Sequence, residues 1–97
     1  MELNSKQRAY LKSLASTMEP IFQIGKGSLT PEVTQAVSEA FNRRELIKIT
    51  VLKNCLDDPK AIAQALAERT HSQVVHVIGR KMVLYKESKD KKKIELP

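Results

Sequence analysis

A single cysteine, Cys55, stands in the 97 residues. An intramolecular disulfide is therefore excluded, a reducing compartment fits, and Cys55 reads as small apolar filler near a strand end. Aromatic residues are equally scarce: no tryptophan, two phenylalanines and two tyrosines. Phe22 and Phe41 read as core and Tyr10 and Tyr85 are ambiguous, so no exposed aromatic pair is available for stacking bases on a sheet. No stretch approaches the roughly 18–20 apolar residues of a membrane span, and the N-terminus carries no charged-then-apolar signal. The expectation is a soluble, cytoplasmic chain with no membrane partner. The two histidines, His71 and His76, have neither a ligand spacing toward Cys55 nor a reason to meet it. Metal binding, a cofactor, a small-molecule substrate and catalysis are accordingly not expected.

What is present is charge. Seventeen Lys+Arg against eleven Asp+Glu give +6 and a pI near 9.6. In one small domain spanning residues 1–97, that excess points to a polyanionic partner. Such a chain is long enough to bury roughly 60–65% of its unfolded surface.

The chain is organised around Ile21-Phe22-Gln23-Ile24-Gly25-Lys26-Gly27-Ser28-Leu29-Thr30-Pro31-Glu32-Val33. Four strand-forming residues enter a short Gly-Lys-Gly-Ser loop, which runs into a helix start with Thr30 as N-cap and Pro31 at the first helical position. Bare backbone, a positive helix end and the mobile cation Lys26 suit a phosphate or a sugar-phosphate chain. The loop is neither a Walker loop nor a dinucleotide fingerprint, because the glycine spacing fits neither. A plain strand-to-helix turn is the alternative.

Around it the pattern is regular. Asn4 and Gln7 have capping-box spacing, and Tyr10, Leu11, Leu14, Ala15 and Met18 form a helical stripe, with Arg8 and Lys12 on the solvent side; Glu19-Pro20 ends this helix. Val33, Ala36, Val37, Ala40 and Phe41 make a second amphipathic helix over about 31–42, closed by Arg43-Arg44. Residues 45–52 are a strand whose Ile47, Ile49 and Val51 face the core, while the face of Leu46, Lys48, Thr50 and Leu52 is only partly covered. Asp58 and Pro59 open a third helix, ending near Thr70-His71. Two strands then meet at Gly79-Arg80, a hairpin of the II′ kind. The basic tail, about 87–97, is expected to be loosely held, with Ile94 and Leu96 as docking points.

The order α-β-α-β-α-β-β implies an α/β fold: a small two-layer sandwich with three helices and a mixed four-stranded sheet, parallel across the helical crossovers and antiparallel at the hairpin. Lys26 stands in the loop, Arg43 and Arg44 at a helix end, Lys48 within a strand and Arg80 and Lys81 in the hairpin, and together they are expected to surround one groove. Arg8, Lys12 and Lys86 are weaker candidates. A surface of this kind depends on backbone contacts and reads bases weakly.

The loop Ile24-Gly25-Lys26-Gly27-Ser28-Leu29-Thr30, the strand Glu45-Leu46-Ile47-Lys48 and the hairpin Val77 through Tyr85 together resemble the CRM domain (chloroplast RNA splicing and ribosome maturation), above all its free-standing bacterial YhbY-type members. The resemblance covers almost the whole chain. It implies a fold similar to the C-terminal domain of a bacterial translation initiation factor. It also implies a non-enzymatic, monomeric RNA-binding protein acting on ribosomal RNA in assembly of the large ribosomal subunit. The family's Gly-x-x-Gly loop maps to Gly25, Lys26, Gly27 and Ser28, with serine in place of the final glycine. If that position needs a positive φ, serine costs roughly 1–2 kcal/mol, unless Gly27 makes the tight turn instead. The family's basic positions map to Lys26, Lys48 and Arg80, and Lys86 stands where arginine is common. An alternative of a different class is a protein-binding adaptor on ribosomal particles with only nonspecific attraction to RNA.

Overall fold

A computed structural model describes residues 2–90 and 92–97. Three helices, α1 (Ser5–Ala15), α2 (Pro31–Ala40) and α3 (Pro59–Thr70), alternate with strands β1 (Phe22–Ile24), β2 (Leu46–Val51), β3 (Gln73–Ile78) and β4 (Lys81–Tyr85). Each helix begins where local chemistry dictates. Asn4 and Gln7 form a full capping box, Thr30 accepts from the Val33 amide, and Asp58 accepts from the Lys60 amide, the last two followed by proline. α3 ends without glycine: His71 itself takes the left-handed conformation at φ 56°.

The sheet order is β1-β2-β4-β3, with β1 parallel to β2 and β4 antiparallel to both its neighbours. Gly79 has φ 56° and Arg80 does not share the positive φ, as a II′ hairpin requires. Side-chain alternation divides the core in two. Ile47, Ile49, Val51, Met82 and Leu84 pack against Val37 and Phe41 of α2 and Ile62, Ala63 and Leu66 of α3. Leu46, Val75, Val83 and Tyr85 point the other way and pack under Leu11 and Ala15 of α1. The expected fold class and element order are observed. The layering differs, because α1 covers the second face and the sheet lies between helices. Local pattern reveals which residues of a helix are apolar, but not which face of a sheet they meet. In α1 the buried stripe is Leu11 and Ala15 with Leu14 and Met18 half-buried, whereas Tyr10 is exposed.

The tail departs from the loose segment expected. The Glu45 carboxylate, almost fully buried, accepts three backbone N–H groups from it, those of Ser88 (2.8 Å), Lys93 (2.6 Å) and Ile94 (2.7 Å). Ile94 and Leu96 pack beside Leu14 and Met18 against the α1 core. Charge-assisted bonds of this kind hold a chain that composition alone marks as solvated.

Candidate nucleic-acid interface

Parallel pairing of β1 with β2 sends both strands out at the same end of the sheet. β4, antiparallel to them, begins at that end. Three connections therefore meet there: Gly25–Ser28 after β1, residues 52–58 after β2, and the Gly79-Arg80 turn before β4. They are tied together. The Ser28 hydroxyl donates to the Asp57 carboxylate, and the Arg80 guanidinium donates to the Leu52 carbonyl at 2.9 Å. The N-termini of α2 and α3 open at the same end.

The loop answers the question raised by its serine. Ser28 takes φ 55°, and Gly27 has no positive φ, so serine makes the tight turn. The strain of about 1–2 kcal/mol is offset by the bond to Asp57 and by the Ser28 amide bond to the Gly25 carbonyl at 2.9 Å. The two glycines are not demanded by the interior. A Cβ at Gly25 would lie 3.4 Å from Asn54 Oδ1, and one at Gly27 would lie 3.6 Å from Thr30 Cγ2, both ordinary contacts. At Gly27, which is exposed, glycine supplies backbone open to close approach from outside, whereas Gly25 is half-buried beside Asn54 and Leu52.

The expected site residues fall into three groups. Lys26, Gly27, Arg80 and Lys81 are exposed at the loop end, with Gly25 and Ser28 half-buried beside them. Lys53, exposed just after β2, joins them. The signal for it was the parallel crossover itself, which places the residues after β2 beside those after β1. Among the described residues none of Lys26, Lys53, Arg80 and Lys81 is in an ion pair. The nearby carboxylates of Asp57 and Asp58 are engaged with Ser28 and with the α3 cap.

Arg43, Arg44 and Lys86 lie at the opposite end of the sheet, where α2 stops and β4 ends. A six-residue strand separates them from the loop by roughly 20 Å. The single groove is therefore two basic clusters. In the second, Arg43 and Arg44 rim a shallow cavity shared with Glu45, Ser88 and Lys93.

Lys48 and Arg8 lie with neither cluster, their side chains held on backbone carbonyls. The Lys48 ammonium is half-buried and donates to the carbonyls of Ala15 (3.1 Å) and Met18 (3.2 Å), closing the C-terminus of α1. The Arg8 guanidinium donates to the carbonyls of Val74 and Val75, beside an irregularity in the β3–β4 register. Both side chains are half-buried and held on backbone carbonyls, whereas Arg80, which makes one such bond, is exposed. Lys48→Ala is expected to lower stability by about 1 kcal/mol through loss of these bonds and to leave RNA affinity within twofold of the parent's. Thermal unfolding and RNA titration of the same sample check this. Lys12 is exposed on α1 and contributes, with Lys48, to the field at His76. Burial first, then these two charges, hold His76 below the ordinary imidazole range, so it is neutral near pH 7. Among the described residues, no group of three or more His, Cys, Asp or Glu could hold a metal. No helix there is long and apolar enough to cross a membrane.

The chain is similar to several known proteins. The family model of the CRS1 / YhbY (CRM) domain matches residues 3–86. A Bacillus subtilis protein, named Probable RNA-binding protein YqeI, is 47% identical over 98% of this chain and 99% of its own. A Haemophilus influenzae protein named RNA-binding protein is 35% identical over 98% of this chain and 95% of its own. The solution structure of a hypothetical Staphylococcus aureus protein, proposed there to bind RNA, superimposes with a TM-score of 0.84. That protein is 48% identical, with 99% of this chain and 100% of that one covered.

Proposed function

This chain belongs to the CRS1 / YhbY (CRM) domain family, and from that membership we propose that it is a non-catalytic, cytoplasmic RNA-binding protein. It holds ribosomal RNA, as a monomer, during assembly of the large ribosomal subunit. The observation that carries the reading is the loop end of the sheet. There the exposed Lys26-Gly27 tip of the Gly-Lys-Gly-Ser loop, two helix N-termini and four cations free of ion pairs converge. Positive ends of helices and exposed amides attract phosphate oxygens, and lysine and arginine add charge without sequence preference. Relatives named as RNA-binding proteins support the same ligand. The ribosomal assignment rests on the likeness of the loop, strand and hairpin to YhbY-type proteins.

The test is the salt dependence of binding to single-stranded RNA. About four phosphate contacts, from Lys26, Lys53, Arg80 and Lys81, give a slope of log K against log salt of roughly −3. A flat response would remove the cation cluster from the interface. Crosslinking in cells followed by sequencing of the attached RNA tests the ribosomal part; recovery of RNA without enrichment of large-subunit precursors would overturn it.

A further inference from the structure

The loop end holds more than charge. Three large hydrophobic side chains are exposed among the described residues, Tyr10, Leu56 and Ile78, and two of the three lie at this end. Leu56 is 97% exposed, so its side chain touches almost nothing of its own protein. Yet the chain carrying it is anchored on both sides. Cys55 is buried in the core at 1% exposure, and its amide donates to the Leu52 carbonyl. Asp57 accepts the Ser28 hydroxyl from the phosphate loop. Leucine is thus held out into solvent one residue from the segment that braces the Gly-Lys-Gly-Ser turn.

Resting on the RNA-binding reading above, we infer that Leu56 is a base-contacting wedge, which makes this site select unpaired nucleotides over duplex. Lys26, Lys53 and Arg80 are exposed at the same end of the sheet and outnumber the neighbouring Asp57 and Asp58, which favours a polyanionic partner there. Once phosphates sit on those cations and on the loop amides, the remaining surface of the nucleotide is the base. Its flat face is apolar, and an aliphatic side chain packs on it by dispersion and by excluding water. In a duplex those faces are stacked and hidden, whereas in loops, bulges and single strands they are available. Apolar side chains of this size serve as wedges against bases in other nucleic-acid complexes. Ile78, 62% exposed in β3 next to the Gly79-Arg80 turn, offers a second apolar point at the same end.

The experiment compares the parent, Leu56→Ala and the double variant Lys26→Asp/Gly27→Asp. The probes are a fluorescent unstructured RNA of about twelve nucleotides and an equally long fully paired RNA. Leu56→Ala removes no internal contact, so its Tm should equal the parent's. Expected is an approximately tenfold loss of affinity for the unpaired RNA, an unchanged salt slope because no charge is lost, and duplex affinity within twofold of the parent's. Unchanged affinity of Leu56→Ala for the unpaired RNA, with loss in the double variant, would overturn the wedge and leave the RNA site standing. Equal losses on unpaired and paired RNA would overturn it as well. Full binding by both variants would remove the RNA site and the wedge together, leaving Leu56 as a protein-docking residue.

Discussion

Replacing Lys26 and Gly27 together by aspartate is expected to lower RNA affinity by at least a hundredfold while the melting temperature stays within a few degrees of the parent's. The fold has little to lose at either position. Both residues are exposed, Gly27 carries no positive φ, and a Cβ there meets only Thr30 Cγ2 at 3.6 Å. Carboxylates just before the N-terminus of α2 interact favourably with its dipole, which offsets part of any strain. At the interface the same change is severe. One cation is lost, two like charges face the phosphates, and side chains fill the space that bare backbone left open. RNA titration at fixed salt, paired with thermal unfolding, separates the two effects. Binding within twofold of the parent by a folded variant would reduce the loop to a turn and move the site to the Arg43-Arg44 end.

The second large effect concerns Glu45. Burial alone would push its carboxyl up, but the backbone N–H groups of Ser88, Ile94 and Lys93, helped by the Lys92 charge, hold it below the ordinary glutamate range. Glu45→Ala leaves three amides without their acceptor and empties the seat of the tail. A loss of about 2 kcal/mol is expected, together with fast hydrogen exchange at Ser88, Lys93 and Ile94. The sign of the pH dependence follows. A carboxyl whose folded value is depressed contributes its full stability above the unfolded value of about 4.3, and that contribution fades as pH falls through the lower folded value. Acidification should therefore release the tail of the parent protein. In Glu45→Ala this step should be missing. Protected tail amides in the variant at neutral pH would show that Ile94 and Leu96 hold the tail without the carboxylate.

Much of this architecture is local and was legible in the chain. Asn4 with Gln7, Thr30 with Pro31 and Asp58 with Pro59 satisfy helix ends within three residues, so they read the same in sequence and in space. Alternation of Ile47, Ile49 and Val51 and the glycine opening the hairpin act over similarly short range. The Gly-Lys-Gly-Ser turn belongs to the same class, although the sequence left Ser28 and Gly27 as alternatives for the tight position and the structure gives it to Ser28.

The tertiary structure decided which charges are free and what stands beside what. Lys48 and Arg8 look like any basic residue until the carbonyls of Ala15, Met18, Val74 and Val75 are brought to them from distant segments. Glu45 looks like the polar start of a strand until a tail more than forty residues away closes over it. Strand direction then sorts the remaining cations. Lys53 and Leu56 come to the Gly-Lys-Gly-Ser loop end because β2 runs parallel to β1, and Arg43 and Arg44 are carried to the far end by the length of α2. Caps and turns depend on a few consecutive residues, whereas the partner of a long side chain depends on how the sheet is closed. Local chemistry determines the first, and the packed fold alone determines the second.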